Sequence, residues 1–111
     1  MPRPIAEQVR FAAETNRRRR VDRLVNDIDD ALFDIDPYGY MDAADIIGGS
    51  FDDMRATTRE CLRSQLYTKD RELLDGLCNI RRDYNDNPRL RKTVRRLDGL
   101  IRRTKRLFAD R

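Results

Sequence analysis

Apolar residues fall three and four apart along most of this chain, and nowhere does apolar–polar alternation persist long enough to predict a strand. From Val21 to Ile35 the stripe consists of Val21, Leu24, Val25, Ile28, Ala31, Leu32 and Ile35, one face of an amphipathic helix. Asp27, Asp29, Asp30 and Asp34 lie mostly off that face. Upstream, Ile5, Val9 and Ala12 share the helical spacing, but at about 100° per residue they point to a different side. The helix therefore either bends between the two stripes or begins with a separate arm. Pro37 and Gly39 end this first segment.

A short helix around Asp42 to Ile47 is predicted before Gly48-Gly49 breaks it. Ser50-Phe51-Asp52-Asp53 then resembles a capping box with Asp in the acidic position, the start of a helix. Phe51, Met54, Thr58, Cys61, Leu62 and Leu66 follow at helical spacing, and Leu73, Leu77, Ile80 and Tyr84 continue it. This is one long helix or two helices split near Thr68. Asn85-Asp86-Asn87-Pro88 is a clear boundary, turn residues followed by a Pro suited to the first helical position.

The last helix, Pro88 to about Ala109, is the most informative. Leu90, Val94, Leu97, Ile101, Thr104 and Phe108 alternate spacings of four and three, a heptad seam with one polar position, and Leu100 and Leu107 widen it. The apolar residues occupy an arc of about 140°, while Arg91, Lys92, Arg95, Arg96, Arg102, Arg103, Lys105 and Arg106 fill about half of the circle opposite. The helix has an apolar back and a basic front. At about 1.5 Å per residue it covers about 33 Å, close to one turn of duplex nucleic acid.

The expected architecture is a single all-α domain of three to five helices over residues 1–111, packed as a helical-bundle homodimer. Residues 1–20 are a basic N-terminal arm or helix, 21–36 a helix, 50–85 one long helix or two, and 88–109 the basic amphipathic helix. Composition supplies the reason for the dimer. Charged residues make up 40% of the chain, against roughly 25% in an ordinary domain. Leu, Ile, Val and Phe together are 26 of 111 residues, just above the level at which disorder becomes the better description. A monomer of this length buries about 65% of its unfolded surface, so two chains sharing the Val21 to Ile35, Phe51 to Tyr84 and Leu90 to Phe108 stripes would thicken a thin core.

Composition also excludes chemistry. The chain has no His, which removes His-based acid–base catalysis, the common Ser-His and Cys-His nucleophile systems and every His-containing zinc site. Cys61 and Cys78 form no C-x-x-C pair and are expected to be small buried hydrophobes, not a disulfide. No Gly-rich phosphate loop is present and no carboxylate pair stands beside an identifiable nucleophile, so no enzyme and no cofactor is expected. Asp34 to Asp45 partly matches a calcium loop, but Pro37 and Tyr38 occupy its fourth and fifth positions and the bidentate Glu is missing. It reads more simply as an acidic turn in which Asp42 caps the next helix.

No apolar stretch approaches the roughly 18 residues of a membrane span, and Met1-Pro2-Arg3-Pro4-Ile5 lacks a signal-peptide core. A cytoplasmic protein is expected, with a nuclear one allowed by the resemblance of Arg17-Arg18-Arg19-Arg20 to an import signal.

The formal net charge of +4 conceals a strong sorting. Residues 1–21 hold six Arg against two Glu, residues 22–87 eight Lys or Arg against sixteen acids, and residues 88–111 ten against two. The basic face of the last helix has only Asp98 near its edge, so a polyanion would relieve its repulsion. Pairing with the acidic middle of the chain, a solvated face and an anionic membrane are the competing uses, the last disfavoured because the apolar face lacks Trp. Four consecutive arginines, with Arg10 and Arg23 nearby, cannot all be buried on a helix, and arginine-rich helices bind RNA phosphates.

The polyanion can be narrowed. Few aromatics are free to stack single-stranded bases, and the basic helix offers almost no Asn, Gln or Ser to read base edges. Sequence-independent binding to duplex phosphates follows, RNA slightly preferred over DNA. Contacts are expected from Arg91, Lys92, Arg95, Arg96, Arg102, Arg103, Lys105 and Arg106, with Arg17, Arg18, Arg19 and Arg20 as an auxiliary arm. Small all-helical dimers that lay basic helix faces along double-stranded RNA, as viral suppressors of RNA silencing do, offer an architectural analogy without a shared motif. The alternative is an interaction adaptor whose basic helix docks an acidic protein.

Overall fold

A computed structural model describes residues 5–110; residues 1–4 and 111, and the side chains of Asp42, Asp45, Ile47 and Phe51, lie outside the described set. Among the described residues the chain is all-α: α1 (Ile5–Ile35), α2 (Pro37–Ile47), α3 (Phe51–Tyr67), α4 (Arg71–Tyr84) and α5 (Arg91–Ala109), with one 3₁₀ turn over Pro88–Leu90 leading into α5. The molecule is elongated, 54 × 33 × 21 Å. Its long axis reflects α1, whose 31 residues measure about 46 Å.

Residues 5–35 form one continuous helix, so the first described turns are not a separate arm. The change in stripe direction near Ala12 has another cause: residues 5–14 are all exposed, so those turns project past the bundle and have no core to face. From Val21 the apolar side turns inward, and Val21, Leu24, Val25, Ile28 and Ala31 are buried.

These residues meet Leu62 and Leu66 of α3, Leu73 and Leu77 of α4, and Leu97, Leu100, Ile101 and Leu107 of α5 in one cluster. The three stripes expected to join two chains thus close on one another within a single chain. The single polar seam position is accommodated locally, since Thr104 is fully buried and its hydroxyl donates to the Leu100 carbonyl at 2.8 Å.

The 50–85 segment is two helices. The Ser50 hydroxyl accepts from the Asp53 N–H at 3.2 Å and Asp53 accepts from the Ser50 N–H at 2.9 Å, the predicted capping box that opens α3. Thr68 ends it, Lys69 takes a left-handed φ of 54°, and Asp70 caps α4 by accepting from the Glu72 N–H at 3.0 Å. Cys61 is exposed, against expectation, because α3 turns Leu62 and Leu66 inward and leaves Cys61 one position off that face; Cys78 is half-buried, and both are free thiols.

Pro37 begins a helix here and does not merely end one, so α2 starts five residues ahead of the predicted Asp42. Asp42 therefore lies inside a helix and not at its start, and its side chain lies outside the described residues. The Asp36 carboxylate does the capping, accepting from the Gly39 N–H at 2.8 Å. A Cβ on Gly39 would come 2.4 Å from that carboxylate, so a larger residue there would require the Asp36 side chain to shift from its capping position. Residues 34–45 are helical on both sides of Asp36, not the open loop that calcium ligation requires.

One buried charge organises the α1–α2–α3 junction. Asp29, 1% exposed, accepts from the Tyr40 hydroxyl at 2.8 Å and from Arg55 Nε at 3.0 Å, with Arg59 Nε at 3.5 Å. Arg55 also pairs with Asp30 and stacks over the Phe33 ring, 4.8 Å from its centroid. Burial lowers the Arg55 guanidinium, but its bonds to Asp29 and Asp30 outweigh that and hold its pKa above the usual value.

Candidate nucleic-acid interface

The buried seam of α5 leaves three strips of polar surface, and the neighbouring helices claim two of them. On the α1 side, Arg96 Nη1 donates to Asp34 at 3.0 Å, and seven residues on Arg103 Nη1 donates to Asp27 at 2.6 Å. Asp34 and Asp27 are likewise seven apart, so the helices run antiparallel with matched heptads. At the third step the signs exchange, Arg20 of α1 meeting Asp110 just after α5 at 3.0 Å. On the α4 side Asp98 receives Arg81.

These pairs answer part of the charge puzzle. Asp27 and Asp34 compensate Arg103 and Arg96, so two of the eight predicted cations of α5 face the acidic part of α1. All four side chains stay close to half exposed, which limits each pair to at most about 1 kcal/mol.

The remaining strip points outward. Arg91, Lys92, Arg95, Arg102, Lys105 and Arg106 are exposed, and among the described residues none has an ion pair or a side-chain hydrogen bond. Arg91, Arg95, Arg102 and Arg106 follow spacings of four, seven and four, which places them within an arc of about 60° and along about 22 Å of helix. Six cations at this density attract anions.

The four arginines of the run sit in different surroundings. Arg17 is half-buried, its guanidinium 6.0 Å from the Tyr67 ring centroid and its Nε buried without a hydrogen-bond partner among the described residues. Arg18 and Arg19 are exposed, with no ion pair among the described residues. Arg20 pairs with Asp110 just after α5 and, with Arg23, which the sequence marked only as a neighbour of the run, lines a recess shared with Arg103 and Arg106 of α5.

Two recesses lie along the α1–α5 groove. One, of about 350 Å³, is lined by Arg20, Arg23, Leu24, Arg103, Arg106 and Leu107. The other, about 420 Å³, is lined by Asp27, Arg95, Arg96, Gly99, Leu100 and Arg103. Arg103 is common to both. An apolar recess of about 360 Å³ between α1, α2, α3 and α4 has Asp36 as its one carboxylate, already engaged by the Gly39 N–H.

Among the described residues no group of three or more acids and cysteines is arranged to hold a metal ion, and no helix is long and apolar enough to cross a membrane. Comparison with protein-family models, with curated proteins and with solved structures finds no match to this chain.

Proposed function

We propose that this chain is a sequence-independent nucleic-acid-binding protein that contacts the phosphates of a duplex through the outer strip of α5. The observation that carries this is the set of six exposed cations that remain after Asp34 and Asp27 of α1 have paired with Arg96 and Arg103. Arg91, Arg95, Arg102 and Arg106 contact the backbone first, with Lys92 and Lys105 beside them. Arg18 and Arg19 contribute through long-range attraction. RNA is preferred slightly over DNA, and a regulator of double-stranded RNA is the role we favour, with no catalytic step.

Two copies acting together would double the basic surface, and we place the homodimer contact on the projecting turns of α1. Ile5, Val9 and Phe11 are 79%, 62% and 58% exposed there, while the stripes of the core are engaged within one chain.

The competing partner is an acidic protein, and one observation favours it: Asp27 and Asp34 already show helix-borne carboxylates docked on α5 arginines. A mobility shift with matched duplex RNA, duplex DNA and single strands at two salt concentrations decides. Duplex binding that falls steeply with salt, at about 0.9 in logarithmic slope per phosphate contact, supports the proposal. A flat response to all of them overturns it in favour of the acidic partner.

A further inference from the structure

We infer that the recess between Arg20, Arg23, Arg103 and Arg106 is a site for a phosphomonoester at the end of a nucleic-acid strand. This rests on the outer strip of α5 being a backbone-binding surface, and it adds an end-reading function to it.

Charge distinguishes the recess from the strip. Four guanidiniums line it, and two carboxylates neutralise part of them, Asp27 on Arg103 at 2.6 Å and Asp110 on Arg20 at 3.0 Å. Two positive charges remain, on Arg23 and Arg106, neither of which has an ion pair among the described residues. An internal phosphodiester carries one negative charge, whereas a terminal phosphomonoester carries about −1.5 to −2 at neutral pH and offers three acceptor oxygens. The dianion is the better match for the recess.

Shape and continuity point the same way. Leu24 and Leu107, 2% and 3% exposed, also line the recess, so the four arginines border a partly enclosed depression with buried leucines in its lining. Arg106 belongs both to this lining and to the outer row that begins at Arg91. A backbone following that row from Arg91 reaches the recess at Arg106, where a terminal phosphate would meet Arg23 as well. Planar guanidiniums contributed by two helices suit a tetrahedral terminal group, which can accept paired N–H bonds from more than one direction.

The test uses the full chain and one short duplex sequence prepared with 5′-phosphate, 3′-phosphate or hydroxyl ends, read by fluorescence anisotropy at fixed salt. A duplex with a terminal phosphate should bind about tenfold more tightly than the hydroxyl-ended one, the worth of one or two charge-assisted bonds. The two phosphorylated duplexes tell which strand end is read. Arg23→Gln should remove that preference while leaving hydroxyl-ended binding within about twofold, and Arg20→Gln should remove the preference as well. Arg95→Gln should weaken all the duplexes alike.

Equal affinity for phosphate and hydroxyl ends, with duplex binding intact, overturns the end site and leaves the strip in place. A preference that survives both Arg23→Gln and Arg20→Gln overturns it as well, because the phosphate is then read elsewhere. Failure to bind any duplex removes the strip and the end site together, and capture of a phosphoserine peptide in preference to every duplex assigns the recess to a protein partner instead.

Discussion

The Tyr40 hydroxyl donates to a carboxylate, Asp29, that is 1% exposed and also held by Arg55. The long helix α1, the short α2 after it and α3 are thereby tied through one charge. Asp29→Ala would leave Arg55 without its buried partner. Breaking a fully buried pair costs roughly 3–5 kcal/mol, but Arg55 remains 26% exposed and keeps Asp30. Urea unfolding of Asp29→Ala should therefore show a loss of roughly 2–3 kcal/mol, and Tyr40→Phe about 1 kcal/mol.

Alkaline pH tests the same junction. Burial first, and then the hydrogen bond to Asp29, push the Tyr40 hydroxyl far above its ordinary value of 10.0. A group whose pKa is raised by folding favours the folded chain fully below its unfolded value, and that contribution is lost as pH rises from there through the folded value. Stability should decline above about pH 10, and Tyr40→Phe should flatten the decline. Unfolding midpoints across that range, with tyrosinate absorbance as the second probe, measure it. An unchanged slope in the variant would remove Tyr40 as the cause.

The strips of α5 should respond differently to charge reversal. Arg95→Glu and Arg102→Glu alter exposed, unpaired positions, so each should leave stability within about 0.5 kcal/mol while weakening duplex binding and lowering its salt slope by about one contact. Arg103→Glu would set a carboxylate beside Asp27, and a stability loss of about 1 kcal/mol is expected from this half-exposed site. Paired thermal melts and salt titrations distinguish the two classes.

Two backbone positions should be improvable. Gly76 lies inside α4, and a Cβ there meets nothing within 4 Å, so Gly76→Ala should add about 0.5–1 kcal/mol. Lys69 holds a left-handed φ of 54° between α3 and α4, which Lys69→Gly would relieve. A gain in melting temperature for both is the expected outcome; Lys69→Gly also forfeits the bond from its Nζ to the Asp110 carbonyl, so its gain should be the smaller.

The apolar periodicities of α1 from Val21, of α3 and of α5 foretell which residues are buried, because a helix in a thin bundle has one face to hide and the rest to solvate. The capping signals at Ser50 and Asn87 are likewise local, and each side chain bonds within three residues of itself. Asp29 was not legible. Its place off the apolar stripe reads as solvated, and only the arrival of Arg55 and Tyr40 from distant positions makes burial possible.

That the three stripes meet within one chain was not legible for a similar reason. Stripe widths do not show whether partners come from the same chain, and here the short connections at residues 68–70 and 85–87 fold the stripes onto one another. For the candidate site, the outer row was readable from a helical wheel. The grouping of Arg20 and Arg23 with Arg106 was not, since it depends on how α1 lies against α5.

The exchange of signs at the third step of the α1–α5 ladder has a consequence for how these helices find their alignment. Apolar heptads alone would tolerate a slide of one repeat, since each leucine would meet another hole of the same kind. Sliding one way would bring Asp27 opposite Asp110; sliding the other would bring Arg20 opposite Arg103. Like charges then collide in both misalignments, and only the observed alignment satisfies every rung. Three exposed ion pairs, each weak as a source of stability, work together as a key that admits one setting of two otherwise interchangeable helical surfaces.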